Sequence, residues 1–294
     1  MNMPLVSVYI PTHNRAELLN KAILSILNQT YKNLEVVVCD DGSTDNTENM
    51  VKQLINLHPN KNILYLKNES ARGACYSRNK CLSLAQGLYV TGLDDDDEFT
   101  PDRIESFVTY ALKNNQHLLT SGLIFYNGEF YKRDGTVEKT IDLQAMGYKN
   151  VIGNQVFALR KMFLDINGFD ETFPAWQDYD MWFRMIKTFG PCHRLNKATY
   201  IMNVNSGRKR ITTGGNAHQG YLKFIEKHRG SLSEAQLKSL YLRDIINRND
   251  IVTVKDLRLS LTPHTVIELS KYILRRNFKS LDKVIAKLRQ GNSL

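Results

Sequence analysis

Five consecutive carboxylates occupy residues 94–98, directly after a short apolar segment typical of a buried strand. Neighbouring carboxylates repel one another, and removing even two of them from water is costly unless a cation or hydrogen bonds compensate. Carboxylate oxygens are preferred ligands of Mg²⁺ and Mn²⁺, which complete their shells with water and phosphate oxygens. The run therefore predicts a metal or nucleotide site centred on Asp94 and Asp96, whereas Asp97 and Glu98 could simply favour the N-terminus of a helix that starts near Thr100-Pro101.

Polar residues also follow two earlier apolar segments. Segment 5–10 is followed by Pro-Thr-His-Asn-Arg at 11–15, and segment 34–39 by Asp-Asp-Gly-Ser at 40–43. In open α/β sheets, ligands bind outside the carboxyl ends of the strands, so we expect these residues to join the acidic run. Neither G-x-G-x-x-G nor G-x-x-x-x-G-K-[ST] follows any predicted strand, which disfavours a dinucleotide-dependent dehydrogenase and a P-loop NTPase.

The elements that must position these residues alternate along the chain. Four segments rich in apolar and β-branched residues predict strands at 5–10, 34–39, 63–66 and 88–93, and the segments between them have helical periodicity. This alternation predicts right-handed crossovers and a parallel sheet. Two further segments, 118–126 and 129–132, flank Asn127-Gly128 as a hairpin, so the complete sheet should be mixed.

The composition is that of a soluble globular protein. The chain has 294 residues, of which 42% are hydrophobic and 23% charged, enough for one large α/β domain over 1–215 and a mainly helical region over 216–294. The four cysteines are scattered, which predicts no disulfide framework and a reducing cytosol. No apolar run is long enough to span a membrane and no signal peptide is evident, so we expect a protein that is neither secreted nor integral.

The positive charge is concentrated in the C-terminal region. Residues 216–294 hold 15 Lys and Arg against 7 Asp and Glu, while the first 215 residues are nearly neutral. Apolar and basic residues alternate at helical spacing over 271–289, which predicts a basic amphipathic helix. This helix could pack on the domain or bind anionic lipid headgroups. Nucleic acid is disfavoured as a partner because no nucleic-acid-binding motif accompanies the charge.

Several motifs in a fixed order resemble family 2 glycosyltransferases with the GT-A fold. The matching motifs are VSVYIPTHNR at 6–15, QTY at 29–31, VCDDGSTD at 38–45, SRN at 77–79, LDDDDE at 93–98, GFDE at 168–171 and WQDYDMWFR at 176–184. The similarity covers about residues 4–190. The resemblance implies a Rossmann-like α/β fold with a mixed, largely parallel central sheet flanked by helices, and a helical C-terminal extension.

The resemblance also implies a site for a UDP-sugar donor. Pro11 and Asp41 would contact the uracil, with Thr12 and Arg15 nearby. Arg78 would help to hold the nucleotide. The residues alone leave a purely structural role open for Asp41, as a turn residue before Gly42.

The remaining roles implied by the resemblance concern the sugar, the metal and the acceptor. Asp94 would face the ribose or the sugar, with Asp95 beside it in the nucleotide-sugar site, and Asp96 would ligate Mn²⁺ or Mg²⁺. Asp178 would deprotonate the acceptor hydroxyl, and a one-step displacement with inversion would follow. Asp180 is the alternative base.

Other residues are candidates for contacts with the acceptor or the diphosphate. Gln177 stands where the family usually has Glu, which leaves its role open, and Trp176 could equally be a core residue. His218 is a candidate metal ligand or a surface residue. The complete set of these candidates is Trp176, Gln177, Arg208, Arg210 and His218.

The leading hypothesis is a metal-dependent, inverting glycosyltransferase. It would move a sugar from a UDP-sugar to a glycan acceptor linked to polyprenyl diphosphate, in O-antigen or capsule synthesis at the inner face of the bacterial cytoplasmic membrane. A sugar nucleotidyltransferase would require a glycine-rich loop with a basic residue after the first strand, which this chain lacks. A non-catalytic nucleotide- or membrane-binding module is the remaining alternative.

Overall fold

The computed structural model describes residues 3–128, 131–153, 155–204 and 215–277. These residues form two compact units. The first comprises the described residues within 1–146, 150–173 and 177–209, and the second those within 147–149, 174–176 and 210–294. Two short segments from the middle of the chain therefore belong to the unit that is otherwise C-terminal.

The first unit is built on a mixed sheet. Its strands in the described residues are β1 (Val6–Thr12), β2 (Leu34–Asp40), β3 (Asn62–Lys67), β4 (Tyr89–Gly92), β5 (Glu98–Phe99), β6 (Leu118–Tyr126), β7 (Tyr131–Asp134), β8 (Lys139–Ile141), β9 (Phe157–Leu159) and β10 (Cys192–Asn203). The strand order is β3-β2-β1-β4-β9-β6-β10-β5, with β7 on β6 and β8 on β10. The four strands predicted from the apolar segments are confirmed as β1 to β4, and β6 and β7 confirm the hairpin.

Parallel and antiparallel pairs occupy different parts of this sheet. Strands β1 to β4 pair in parallel, with β1 in the middle and every residue of β1 buried. Strand β9 then lies antiparallel between β4 and β6, while β6 and β10 are parallel. Because β1 and β4 are direct neighbours, the segments that follow them lie at one edge of the sheet.

Helices cover the sheet of the first unit. They are α1 (Ala16–Leu27), α2 (Thr47–Leu57), α3 (Ala74–Leu84), α4 (Arg103–Asn114), α5 (Leu143–Tyr148), α6 (Arg160–Asp165) and α7 (Gln177–Phe189), α5 ending in the second unit. In α1 the buried residues Leu19, Ala22, Ile23 and Ile26 recur at the spacing of one helix face, and they join the core formed with the sheet.

The end of the acidic run lies in the sheet. The helix expected near Thr100-Pro101 begins at Arg103 as α4. Glu98 lies in β5, which pairs with β10, and Asp97 Oδ1 accepts a hydrogen bond from the backbone N–H of Asn203 at 2.9 Å. The end of the acidic run is therefore tied to the sheet through β10.

The second unit is mainly helical. Its helices are α8 (Gly215–His228), α9 (Glu234–Arg248), α10 (Val254–Ser260) and α11 (Val266–Asn277), with a 3-10 turn at Arg229–Ser231. Capping boxes at Ser233 and Thr253 begin α9 and α10, since each hydroxyl accepts the N–H three residues further on. The predicted basic helix over 271–289 coincides with α11 as far as Asn277, and the rest lies outside the described residues. In the part of the chain that the structure describes, none of the helices combines the length and the apolar composition of a membrane-spanning segment.

Candidate active site

The ends of the neighbouring strands β1 and β4 are joined by polar contacts. Thr12 Oγ1 donates a hydrogen bond to Asp95 Oδ2 at 2.8 Å, and Arg15 Nη1 lies 2.8 Å from Asp95 Oδ1. Arg15 also reaches Asp96 Oδ2 at 3.3 Å. Burial raises the pKa of Asp95, and the charge of Arg15 partly opposes that shift. Two predicted nucleotide-site residues thus hold the acidic run against the loop after β1.

Arg78 connects the acidic run to the predicted catalytic base. This α3 residue is 5% exposed, and its Nη2 donates to Asp94 Oδ1 at 3.0 Å while its Nη1 lies 3.5 Å from Asp178 Oδ1. Its guanidinium carbon also lies 5.3 Å from the centroid of the Phe169 ring. Burial alone would lower the pKa of Arg78, but the two carboxylates raise it above its usual value, so the side chain remains a cation.

Asp178 is the second residue of α7, and its environment suits a base that works near neutral pH. Burial raises the pKa of Asp178 to about 6, with Arg78 lowering it and Asp94 raising it further. A carboxylate with a pKa close to the operating pH can accept a proton more effectively than an exposed aspartate. Gln177 precedes it as the first residue of the helix.

Asp180, the alternative base, has a different environment. Its side chain is fully buried, and Oδ2 accepts a hydrogen bond from Arg184 Nε at 2.8 Å. The same guanidinium donates to the carbonyl oxygens of Ile166 and Gly168, both at 2.7 Å. The Asp180–Arg184 pair therefore fixes the segment before α7 and offers no exposed carboxylate to a substrate.

Asp41 holds the loop between β3 and α3. Its Oδ1 accepts from the Arg72 N–H and the Asn68 amide, both at 2.8 Å, and its Oδ2 from the Gly73 N–H at 2.7 Å. Burial opposes the ionised form, but these hydrogen bonds lower the pKa of Asp41 overall. A structural role for Asp41 is therefore visible, while its contact with uracil, like that of Pro11 at the end of β1, stays a prediction.

The acidic run offers suitable ligands for a divalent cation. The side chains of Asp94 and Asp96 are 24% and 19% exposed, so both carboxylates are accessible. Within the part of the chain that the structure describes, no group of three or more His, Cys, Asp or Glu is arranged to hold a metal. Mg²⁺ and Mn²⁺ need only one or two carboxylates when phosphate oxygens complete the shell. This donor set therefore fits a cation that binds together with a diphosphate.

The second unit contains two of the acceptor or diphosphate candidates. Trp176 has a left-handed backbone, with φ +64°, and its ring contacts Tyr221 and Phe224 at centroid distances of 5.8 and 5.7 Å. Such a conformation is unusual for a bulky residue. His218 Nδ1 lies 2.9 Å from the buried carboxylate of Asp244. Arg208 and Arg210 lie outside the described residues.

Two buried residues that the sequence did not suggest also reach the site. Tyr9 Oη donates to Gln155 Oε1 at 2.9 Å, and Gln155 Nε2 donates to Asp94 Oδ1 at 3.3 Å. Tyr9 lies in the buried strand β1, where its apolar neighbours suggested only a core role. Gln155 lies between elements, in a segment without periodicity, so no signal in the sequence could have indicated it.

The sheet of the first unit thus brings an acidic run at its strand ends together with a partly buried carboxylate, Asp178, on either side of Arg78. The Glycosyl transferase family 2 model matches residues 7–169, more than half of the chain. The protein belongs to glycosyl transferase family 2 and is a glycosyltransferase. The motif-based recognition, the GT-A fold and the enzyme class are therefore confirmed.

Two relatives illustrate the similarity. A protein of Escherichia coli (strain K12), whose name assigns it to colanic acid biosynthesis as the glycosyl transferase WcaA, is 37% identical over 246 residues, covering 81% of this chain and 86% of its own. The E. coli UDP-Glc:alpha-D-GlcNAc-diphosphoundecaprenol beta-1,3-glucosyltransferase WfgD is 32% identical over 186 residues, covering 62% of this chain and 70% of its own.

The fold is also that of a solved transferase. The crystal structure of S. aureus TarS 1–349 in complex with UDP-GlcNAc superposes with a TM-score of 0.65 and 18% identity, covering 92% of this chain and 79% of that one. At this identity the likeness shows the fold alone.

Proposed function

We propose that this glycosyltransferase moves a sugar from a UDP-sugar to a hydroxyl of a glycan acceptor carried on polyprenyl diphosphate, in bacterial surface polysaccharide synthesis. The observation that carries the proposal is the arrangement of Asp94, Arg78 and Asp178, which places a base with a raised pKa next to the acidic run. The name of the relative WfgD supports the donor and acceptor classes, because it gives a UDP-sugar donor and a diphosphoundecaprenol acceptor. The name of the relative WcaA supports the role in polysaccharide synthesis.

The donor site in this proposal lies at the ends of β1 and β4. Asp94 faces the ribose or the sugar, and Asp95 stabilises the loop of Thr12 and Arg15 around the nucleotide. Asp96 would ligate Mn²⁺ or Mg²⁺. When bound, the cation would neutralise the negative charge that develops on the diphosphate leaving group.

Asp178 supplies the base. An acceptor hydroxyl is a weak nucleophile, so it must lose its proton to a positioned carboxylate as it attacks the sugar carbon. Arg78 keeps Asp178 ionised near neutral pH, because its cation opposes the effect of burial and of Asp94 on the Asp178 pKa. A single attack from the face opposite the leaving diphosphate inverts the configuration at that carbon.

Turnover measurements test this proposal. We expect the purified protein with Mn²⁺ to release UDP from a UDP-sugar only when a glycan on polyprenyl diphosphate is added. Asp178→Asn should lower kcat by about 1,000-fold or more, in the range that loss of an essential base produces. Asp165→Asn, which removes an exposed carboxylate paired with Lys161 on α6, is the matched control and should retain activity. Unchanged turnover by Asp178→Asn contradicts the proposed base.

Peripheral binding to an anionic membrane is part of the same proposal. On α11 the side chains of Glu268 and Tyr272 contact other residues of the second unit, namely Arg243 and the Asp250 carbonyl. The opposite side of α11 is exposed, with Val266 at 42%, Ile267 at 65% and Leu274 at 51%. Lys271 and Arg275 continue this exposed side at helical spacing. An apolar strip beside basic residues is typical of a helix that lies at a lipid surface.

Vesicle flotation tests the membrane contact. We expect the protein to float with vesicles that contain phosphatidylglycerol and not with vesicles of phosphatidylcholine alone. The double variant Ile267→Glu, Leu274→Glu should lose this binding, whereas Leu57→Glu, at a 73% exposed apolar residue of α2, should keep it. Retained binding by the double variant would show that the exposed side of α11 does not contact the membrane.

A further inference from the structure

Asp94 is held by a buried chain of hydrogen bonds that begins in strand β1. Tyr9 is fully buried and Gln155 is 3% exposed. The Tyr9 hydroxyl donates to Gln155 Oε1 at 2.9 Å, which turns the amide nitrogen of Gln155 toward Asp94 Oδ1, 3.3 Å away. Because an amide has one acceptor end and one donor end, the bond to Tyr9 determines which end Asp94 meets.

Gly92, the last residue of β4, has no side chain that would clash with this series of hydrogen bonds from Tyr9 to Asp94. A Cβ atom at Gly92 would lie 2.2 Å from Gln155 Oε1 and 2.5 Å from the ring of Tyr9. Both distances are far below van der Waals contact, so a side chain at this position would displace one of the two residues. The absence of a side chain at Gly92 thus leaves the space that Gln155 Oε1 and the Tyr9 ring occupy.

The two carboxylate oxygens of Asp94 differ in the hydrogen bonds that they accept. Oδ1 accepts from both Arg78 and Gln155. Oδ2 has no hydrogen-bond donor among the residues that the structure describes, and the side chain is 24% exposed. The carboxylate is therefore fixed by one oxygen and open at the other.

We propose that Gln155 is a positioning residue for the donor, which presents Asp94 Oδ2 to a hydroxyl of the UDP-sugar and is itself oriented by Tyr9. This inference rests on the proposed function, because it assumes that the donor meets Asp94. It assigns Gln155 and Tyr9 a role in donor affinity without contact with the reacting atoms. A residue that acts in this way affects the enzyme only through Asp94.

A double-mutant cycle tests the proposal through the KM for the UDP-sugar, kcat and the Kd for the UDP-sugar. Gln155→Leu should raise KM and Kd by about 10-fold, as expected for loss of a hydrogen bond to a charged group, with kcat within about 2-fold. The double variant Asp94→Asn, Gln155→Leu should match Asp94→Asn alone, because Gln155 acts only through Asp94. Tyr9→Phe should raise KM by about 3-fold, and this effect should disappear in the Gln155→Leu background.

Tyr89→Phe is the matched control, since it removes another buried tyrosine hydroxyl, which bonds to His117 at 2.9 Å. It should leave the KM for the UDP-sugar unchanged. Additive losses for Gln155→Leu and Asp94→Asn, or an unchanged KM in folded Gln155→Leu, would overturn the proposal. Wild-type protein that binds no UDP-sugar is a separate outcome, because it overturns the donor assignment itself and the positioning role with it.

Discussion

Arg78 Nη1 lies 3.5 Å from Asp178 Oδ1, and the second amino group of the same guanidinium donates to Asp94. The buried guanidinium of Arg78 therefore contacts two carboxylates from different parts of the chain. Without it, Asp94 and Asp178 would face each other in a poorly solvated site, where like charges favour protonation of one of them. The family resemblance implied that Arg78 holds the nucleotide, and the structure adds that the charge of Arg78 lowers the pKa of the proposed base Asp178, against the larger effect of burial.

Replacing Arg78 should shift the pH dependence of catalysis. The pKa of Asp178 is about 6 and is lowered by Arg78, so Arg78→Met should raise it by at least about one unit. Because the ionised form is the base, activity is lost as the pH falls through this pKa. We expect the acidic limb of the kcat/KM profile, which reports the free enzyme, to have its midpoint near pH 6 in the wild type and at a higher pH in the variant.

Arg78→Lys provides the matched control, since it keeps the charge and loses the two-sided geometry of the guanidinium. The midpoint of the acidic limb for Arg78→Lys should lie between the midpoints for the wild type and for Arg78→Met. An acidic limb that stays at the same pH in Arg78→Met would show that Arg78 does not set the ionisation of Asp178.

Asp178→Asn should make the protein more stable while it abolishes turnover. The folded-state pKa of about 6 exceeds the unfolded value of about 3.9, so the folded state binds more protons between these values. The stability of the wild type therefore decreases as the pH rises from about 4 to 6. The neutral amide avoids this loss, and we expect urea unfolding at pH 7.5 to give a free energy of unfolding higher by about 1 to 3 kcal/mol.

The same pair of proteins at low pH gives the control. Near pH 4 the wild-type carboxyl is itself protonated, so the difference in the free energy of unfolding should become small. A variant that is less stable at pH 7.5, or a difference that does not depend on pH, would contradict the raised pKa of Asp178.

The Arg15–Asp95 pair should contribute more to stability than an exposed ion pair. The side chain of Asp95 is 8% exposed, so Arg15→Met leaves a buried carboxylate without its cation and should lower the free energy of unfolding by about 1 to 2 kcal/mol. Lys52→Met breaks an exposed pair with Glu48 on α2 and should cost less than about 0.5 kcal/mol. Equal losses in urea unfolding would show that the Arg15–Asp95 contact contributes no more than a surface pair.

The sequence could predict the strands and helices whose pattern is regular. Strands β1 to β4 are short apolar segments, and α1 has a clear buried face, so periodicity alone indicates them. The position of β9, antiparallel between β4 and β6, could not be predicted. Strand β9 has only three residues, and nothing in its local sequence indicates which strands it pairs with. The inclusion of 147–149 and 174–176 in the second unit also depends on tertiary packing alone.

The candidate site residues that directly follow a predicted strand could be identified from the sequence. Asp94 and Asp96 could be placed at the sheet edge because carboxyl ends of neighbouring parallel strands meet there. The contacts of Arg78 with two carboxylates and of Gln155 with Asp94 join residues distant in sequence. Such contacts depend on how α3 and the segment before β9 pack against the sheet. No spacing along the chain encodes them.

Isothermal titration of UDP, with and without Mn²⁺, tests whether the acidic run binds the metal and the nucleotide together. We expect the wild type to bind UDP only with Mn²⁺, and Asp96→Asn to weaken this binding by at least about 10-fold because a metal ligand is lost. Glu98→Gln removes the same charge two residues away, in β5, and should bind as the wild type does. Equal affinity with and without Mn²⁺, or an unchanged affinity in Asp96→Asn, would contradict the assignment of the acidic run as the metal and nucleotide site.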